Sequence, residues 1–184
     1  MNAIFKGIRP LDYVLAALAT AAGVFLMLEN ITSTGHGLPH PQSTTTAVML
    51  PVFLAVTVPI LWRRRNILAV SGFTAVALAL HVVLFGWETR CGVVLPLSFA
   101  LAYAVARFAA GRREHLFGLA IILLLQVVTI ARDASIDTIL SALPIAVAGG
   151  AIFYGIGRFV QVMVNRKATR NASEEQSVAA AVAA

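Results

Sequence analysis

His81 and Gln126 are the two polar side chains whose positions inside long apolar runs could support chemistry. His81 lies seven residues before Glu88, and Gln126 lies seven before Asp133. The two side chains therefore occupy matching depths, about two helical turns from one end of their runs. An imidazole within a membrane span is a candidate ligand or proton site, because an unpaired polar group is costly in lipid. A neutral His81 hydrogen-bonded to Gln126 or to a backbone carbonyl explains the same placement, and we favour this interhelical role.

A pair of imidazoles, His36 and His40, lies in the sequence GHGLPHP. Two imidazoles could begin a zinc or copper site, but such a site normally needs three or four ligands. Cys91 is the one cysteine, which excludes a cysteine-cluster site and an intramolecular disulfide. We therefore interpret this segment as a solvated loop and expect neither a bound metal ion nor a cofactor.

No combination of residues in the sequence has the spacing of a catalytic centre. It contains no recognisable nucleophile–base pair, no phosphate-binding loop, and no pair of carboxylates within an apolar run. The sequence therefore predicts a protein that is not an enzyme.

The composition is that of an integral membrane protein. Of the 184 residues, 59% are hydrophobic and 12% are charged, and the mean hydropathy is +0.86. The net charge of +6 could suggest nucleic acid as a partner. The basic residues, however, lie at the ends of apolar runs and in a tail, which indicates a lipid bilayer rather than nucleic acid.

The apolar runs predict six transmembrane helices arranged as three hairpins, in an all-α domain over residues 11–164. Residues 1–10 form a basic lead, and residues 165–184 form a tail that we expect to be disordered. The first run is too long for the apolar region of a signal peptide, so we interpret it as an anchor. The predicted spans are residues 11–28, 47–62, 67–85, 93–108, 116–130 and 139–164.

The distribution of arginine predicts the orientation. With six spans and both ends in the cytoplasm, twelve Lys and Arg residues lie on the cytoplasmic side. Only Arg90 and Arg132 lie outside, as expected where positive charge stays in the cytoplasm. This predicts a multi-pass protein of a bacterial cell membrane. The residues that anchor this topology are Trp62, Arg63, Arg64, Arg65, Arg112 and Arg113.

Each even-numbered span contains a Leu-Pro pair near its outer end, at Pro51, Pro96 and Pro144. This spacing indicates three hairpins built on one template, although membrane helices also tolerate proline without a repeat. Pro59 lies deeper and predicts a bend in the second span. Small or packing residues at four-residue spacing predict close helix contacts, within or between chains: Ala17, Ala21, Gly149, Phe153 and Gly157.

The runs RPLDYVLAALATAAGVFL and VPILWRRRNILAVSGFTAVALALHVVL resemble the N-terminal membrane domain of bacterial two-component sensor histidine kinases. The resemblance covers about residues 8–165 and rests on topological signals. It implies a sensory membrane domain. The sequence departs from that family in having no phosphoacceptor helix and no ATP-binding domain after Arg170, so kinase activity is assigned to no residue.

Two functions of different classes therefore follow from the sequence. The first is a non-enzymatic sensor or regulatory membrane subunit, acting as a homodimer or on a separate kinase. The second is a small-solute transport component, such as the substrate-binding subunit of an energy-coupling factor transporter, with a transporter partner. A transporter needs several convergent polar groups, and the spans offer only His81, Gln126 and a few hydroxyls.

Overall fold

The computed structural model describes residues 7–33 and 37–183, with side-chain surroundings up to residue 176. Helices account for 79% of the chain, and no strand occurs in the described part, which confirms the predicted all-α class. The helices are α1 (Pro10–Thr32), α2 (Met49–Thr57), α3 (Ile67–Phe85), α4 (Cys91–Phe108), α5 (Arg112–Ala131) and α6 (Ile139–Ala183), and a 3₁₀ segment (Val58–Trp62) follows α2.

Five of these helices, α1, α3, α4, α5 and α6, are long and apolar enough to cross a membrane. The side chains that face outward support the same conclusion, since Val83 is 80% and Leu140 is 84% exposed. The polar side chains of His81 and Gln126 are buried instead. Apolar side chains outside and polar side chains inside are expected where lipid is the solvent. The chain is therefore a multi-pass membrane protein.

The second apolar run forms a shorter and less regular helix than the other five. Its α-helical part ends at Thr57, and the 3₁₀ segment contains Pro59. Proline cannot donate to the preceding turn, which explains why regular α-helix stops here. The whole run, Met49–Trp62, is about 23 Å long, below the roughly 30 Å of a hydrocarbon core.

α6 differs from the sequence prediction in its length. The helix continues without a break past residue 164 to Ala183, where we expected a disordered tail. After Gly157 the sequence has neither glycine nor proline, and it is rich in alanine, the strongest helix former. Arg170 donates to Glu174 one turn further along, a pairing that supports an exposed helix.

α4 is the central helix of the bundle and packs most extensively on α6. Glycine makes this contact possible, because a Cβ at Gly149 would lie 2.6 Å from the Phe99 ring. At Gly157 a Cβ would lie 2.6 Å from the carbonyl oxygen of Tyr103. Two of the small residues singled out in the sequence therefore bring α6 against α4 within one chain.

The contacts separate the bundle into two ends. At the arginine end, defined by Asp12, Arg63, Arg64 and Phe108, the start of α1 meets the ends of α2 and α4. At the loop end, defined by residues 37–48, 86–90 and 132–138, the Ser43 amide donates to the Trp87 carbonyl at 3.0 Å. The His40 amide donates to the Ala134 carbonyl at 3.2 Å, and the Ala134 amide donates to the Glu88 carbonyl at 3.1 Å, so the three loops of this end are joined to one another.

The Leu-Pro template holds for two of the three hairpins. Pro96 and Pro144 are each the sixth residue of their helix, whereas Pro51 is the third residue of α2. The missing proline donor therefore leaves a carbonyl without a helical partner in α4 and α6, but not in α2. The first hairpin departs from the register of the other two.

Candidate functional site

Four fully buried polar residues at the loop end form a cluster, which we call the loop-end cluster: His81, Glu88, Arg90 and Asp133. His81 comes from the last turns of α3, while Glu88 and Arg90 lie in the loop between α3 and α4. Asp133 follows α5 and pairs with Glu88 in an isolated parallel bridge. The seven-residue offsets in the sequence placed Glu88 and Asp133 at matching heights, and here their backbones meet.

The Arg90 guanidinium is the centre of this cluster. Its Nε donates to His81 Nδ1 at 3.2 Å, and Nη2 lies 3.3 Å from Glu88 Oε2. Its Nη1 donates to the carbonyl oxygens of Arg132 at 2.8 Å and Glu88 at 3.3 Å. Because Nδ1 of His81 accepts a hydrogen bond from a cation, the network assigns the neutral imidazole with its proton on Nε2.

Asp133 holds the loops to the start of α4. One carboxylate oxygen accepts from the backbone amides of Arg90 and Cys91, the latter at 2.6 Å. The other accepts from the amide and the hydroxyl of Ser135. A carboxylate at a helix N-terminus satisfies amides that have no helical partner, so Asp133 caps α4 from a different segment.

Glu88 is the acidic residue of the cluster whose carboxyl group has the fewest hydrogen-bond partners. Burial raises the pKa of Glu88 to about 8, and the Arg90 charge only partly opposes that shift. Its Oε1 is buried and has no hydrogen-bond partner among the described residues. Burial also lowers the pKa of Arg90, against the opposing charges of Glu88 and Asp133. The cluster is charge-balanced when Glu88 is protonated, and it gains a negative charge when Glu88 ionises.

Aromatic rings enclose the imidazole of His81 on the α2 and α3 sides. The Phe53 ring is 5.2 Å from the His81 ring and nearly perpendicular to it, and the Phe85 ring is 4.7 Å away. The Nε2 atom of His81 approaches the Met49 carbonyl but makes no hydrogen bond of regular geometry. His81 is thus enclosed largely by apolar groups, with Arg90 donating to its Nδ1 and Glu88 Oε2 3.9 Å from the same nitrogen.

A neighbouring network ties the loops to α1. The buried Asn30 donates to the Thr89 carbonyl at 3.0 Å and accepts from the Thr89 amide and hydroxyl. Gln42 also donates to the Asn30 side chain, at 2.7 Å. Three segments that are far apart in sequence therefore close over the loop-end cluster.

No hydrogen bond joins Gln126 to His81. Gln126 is buried elsewhere and donates to the Ser98 hydroxyl at 3.1 Å and to the Ala146 carbonyl at 3.0 Å. These bonds link α5 to α4 and α6. Gln126 thus has the interhelical role that we considered for both residues, while His81 belongs to the charged cluster.

The loop predicted to contain His36 and His40 forms no metal site in its described part. His36 lies outside the described residues. His40 stacks on Trp87 with ring centroids 4.0 Å apart, and its Nε2 is 3.4 Å from the Asp137 carbonyl. Among the residues that the structure describes, no three or more His, Cys, Asp or Glu residues come together to form a group that could hold a metal ion.

The predicted topology anchors lie at the arginine end. Arg63 reaches the buried Asp12 through Nη2 at 2.7 Å and Nε at 2.9 Å, and Arg64 reaches it through Nε at 2.8 Å. Trp62 is the last residue of the 3₁₀ segment and is half-buried, and Arg65, three residues later, is exposed. The exposed Arg112 and Arg113 begin α5.

The acidic residues Asp12, Glu88 and Asp133 and the basic Arg90 were missed as site residues by sequence reasoning. One available signal was scarcity, since the chain has only eight Asp and Glu residues. In so apolar a chain, an acidic residue next to a helix end has few ways to be satisfied except by an arginine.

Comparison with known proteins found no similar protein. The chain matches no protein-family model, no curated protein and no solved structure.

Proposed function

We propose that the chain is a non-enzymatic sensor or regulatory domain of a bacterial cell membrane, related to the membrane domains of sensor histidine kinases. It would act as a homodimer or on a separate kinase. The observation that carries this proposal is the loop-end cluster, whose last residue in the chain, Asp133, is close to the start of α6. This helix continues past its membrane segment. Asp133 precedes the start of α6 by six residues.

The proposed orientation has six crossings, with both chain ends in the cytoplasm. The arginine end carries the Arg63–Arg65 run and Arg112 and Arg113, which favours the cytoplasmic side. α2 and its 3₁₀ segment are short for a crossing, but the buried Asp12 pairs with Arg63 and Arg64 at its end. Such pairing lowers the cost of keeping charges near the membrane surface, so a short sixth crossing is compatible with its sequence.

The proposed mechanism uses the cluster as a two-state element. With Glu88 protonated the cluster is charge-balanced, and the loops are closed on α4 through Asp133. A stimulus that ionises Glu88 or competes for Arg90 favours an arrangement in which the loops separate. Because Asp133 is close to the start of α6, a change at the loops alters the position of α6 and of its exposed extension.

The orientation is tested by cysteine labelling of intact cells in a Cys91→Ser background. Thr45 and Asp137 are exposed at the loop end, while Ala110 and Ala172 are exposed beyond the other ends of the helices. Cysteines at Thr45 and Asp137 should react with an impermeant maleimide, and those at Ala110 and Ala172 only after lysis. Labelling at Ala110 in intact cells would refute the six-span orientation.

The signalling role is tested with a spin label at Ser173, on the exposed part of α6, in the full chain reconstituted in nanodiscs. Glu88→Gln keeps the cluster neutral at every pH, so the two proteins should be alike at pH 5, and at pH 9, where Glu88 of the wild type is ionised, they should differ in the distance between labels in two copies or in the mobility of the label. The matched control is Glu29→Gln, because Glu29 is exposed near the same end of the bundle. Identical spectra for the wild type and Glu88→Gln at pH 9 would contradict coupling to α6.

A further inference from the structure

A cavity of about 380 Å³ lies at the arginine end between the start of α5 and the middle of α6. Its polar wall is formed by Gly111, Arg112, His115, Tyr154 and Arg158. The Tyr154 hydroxyl is 3.3 Å from His115 Nδ1, and the two rings meet edge to face. The cavity is thus a preformed space between two helices, with two guanidinium groups, an imidazole and a phenol around it.

Among the described residues, no ion pair balances the positive charges around this cavity. Neither Arg112 nor Arg158 forms an ion pair with a residue in the described part, and both side chains are exposed. The acidic residue in the first turn of α5, Glu114, accepts a hydrogen bond from the amide of Ala110 at 2.8 Å. The N-cap residue of α5, Gly111, provides no side-chain acceptor for the first amides of the helix. Two cations and these amides therefore favour a negatively charged ligand.

Another part of the cavity lining is apolar. It is formed by Leu116 and Leu119, and Leu116 is 59% exposed on the outer surface of α5. The next residue, Phe117, is 65% exposed on the same lipid-facing part of the helix. The cavity therefore leads from a cationic rim to the surface that contacts hydrocarbon, and a ligand that fills it must be anionic at one end and apolar at the other.

We propose that this cavity binds the phosphate headgroup of an anionic phospholipid. The phosphate lies between Arg112 and Arg158 and accepts from the guanidinium groups and the Tyr154 hydroxyl. The acyl chains follow Leu116 and Leu119 into the bilayer. Basic pockets between transmembrane helices are suited to such headgroups, since each cation near the surface contributes about 1 kcal/mol. The bound lipid joins α5 to α6 at the end opposite the loop-end cluster.

The test compares lipids on the purified full chain. In detergent, the thermal stability of the wild type is measured with phosphatidylglycerol and with phosphatidylcholine, and the retained lipid is quantified by native mass spectrometry. The wild type should be stabilised by phosphatidylglycerol and not by phosphatidylcholine. The Arg112→Gln/Arg158→Gln variant should bind phosphatidylglycerol roughly 30-fold more weakly, the loss expected for two cationic contacts.

The matched control removes the same charge from the same two helices. Arg113 follows Arg112 on α5 and Arg166 is farther along α6, and neither lines the cavity. Arg113→Gln/Arg166→Gln should keep the wild-type affinity for phosphatidylglycerol. An equal loss in both double variants would mean general attraction to negative lipid and would overturn the site. Should the Arg112→Gln/Arg158→Gln protein not fold, Arg112→Gln alone serves, because this residue is exposed at the start of its helix.

Two further arms distinguish the source of the phosphate. Inorganic phosphate and glycerophosphoglycerol are added at the concentration used for phosphatidylglycerol, and neither should stabilise the wild type to the same degree. Full stabilisation by inorganic phosphate would identify a soluble anion as the ligand and overturn the lipid assignment. Equal stabilisation of the wild type by phosphatidylglycerol and phosphatidylcholine would also overturn it.

Discussion

The protonation of Glu88 gives the sharpest prediction for the loop-end cluster. Its folded pKa is raised from 4.5 to about 8 by burial. In the unfolded chain the carboxyl loses its proton near its ordinary pKa, while the folded chain still binds it. The free energy of unfolding therefore falls as pH rises from about 4.5 to about 8. Above that range, Glu88 causes no further loss of stability.

The size of this effect follows from the pKa difference. Each pH unit in this window costs up to about 1.4 kcal/mol, so raising the pH from 5 to 7 costs about 2 to 3 kcal/mol. For a chain of this length, that corresponds to a melting temperature lower by roughly 5 to 10 °C. Glu88→Gln keeps a neutral side chain of the same shape, so this part of the pH dependence should disappear.

The assay is thermal unfolding in detergent at pH 5, 6, 7 and 8 for the wild type, Glu88→Gln and the control Glu29→Gln. At pH 5 the Glu88→Gln protein should melt close to the wild type, and at pH 8 it should melt at a higher temperature. Glu29→Gln should follow the wild type throughout, because Glu29 is exposed.

The competing account is that Glu88 is ionised and forms an ion pair with Arg90. Glu88→Gln would then leave a buried guanidinium without its counter-charge and cost about 3 to 5 kcal/mol at every pH tested. A variant that is less stable than the wild type by a constant amount from pH 5 to pH 8 would therefore refute the protonated-Glu88 reasoning.

Three other substitutions test separate parts of the structure. Asp12→Asn leaves Arg63 buried without its counter-charge and should cost about 3 kcal/mol or more, measured by thermal or denaturant unfolding; a loss below about 1 kcal/mol would contradict a buried ion pair. Gly157→Ala should lower the melting temperature because its Cβ would contact backbone, whereas Gly155→Ala, with open space around it, should raise or preserve it. His81→Leu removes the acceptor for Arg90 Nε and should cost about 1 to 3 kcal/mol, while His81→Gln, which keeps an acceptor, should cost less; equal losses would mean that packing alone holds the ring.

Apolar runs predicted the helices well because a span in lipid must be long, continuous and hydrogen-bonded within itself. The prediction for α3, residues 67–85, has the same bounds as the observed helix. The α2 region was predicted as one span with a bend at Pro59, and the structure has 3₁₀ geometry there. Hydropathy alone does not distinguish a regular helix from a 3₁₀ segment of the same composition.

The site was predicted less completely, for a physical reason. His81 stood out because it lies inside an apolar run, but its partner Arg90 lies in a short turn that was predicted to lie outside the membrane. Burial of that loop depends on Asn30, Gln42 and Asp133, which come from three other segments. Contacts between segments so far apart in sequence leave no periodic pattern, so sequence reasoning found the imidazole and missed the charges around it.

The two buried charge clusters at opposite ends of the bundle have different properties. At the arginine end, both carboxylate oxygens of Asp12 are engaged by two arginines, so the pair is satisfied in a single arrangement. At the loop end, one oxygen of Glu88 has no hydrogen-bond partner in the described part, and one cation, Arg90, is shared by Glu88 and the neutral His81. A satisfied buried pair resists change, whereas an unsatisfied one can be altered by a proton or a ligand at little further cost. Of the two, the loop-end cluster is therefore the one suited to be the stimulus site of the function that we propose, and the arginine end is suited to hold the helices in one arrangement.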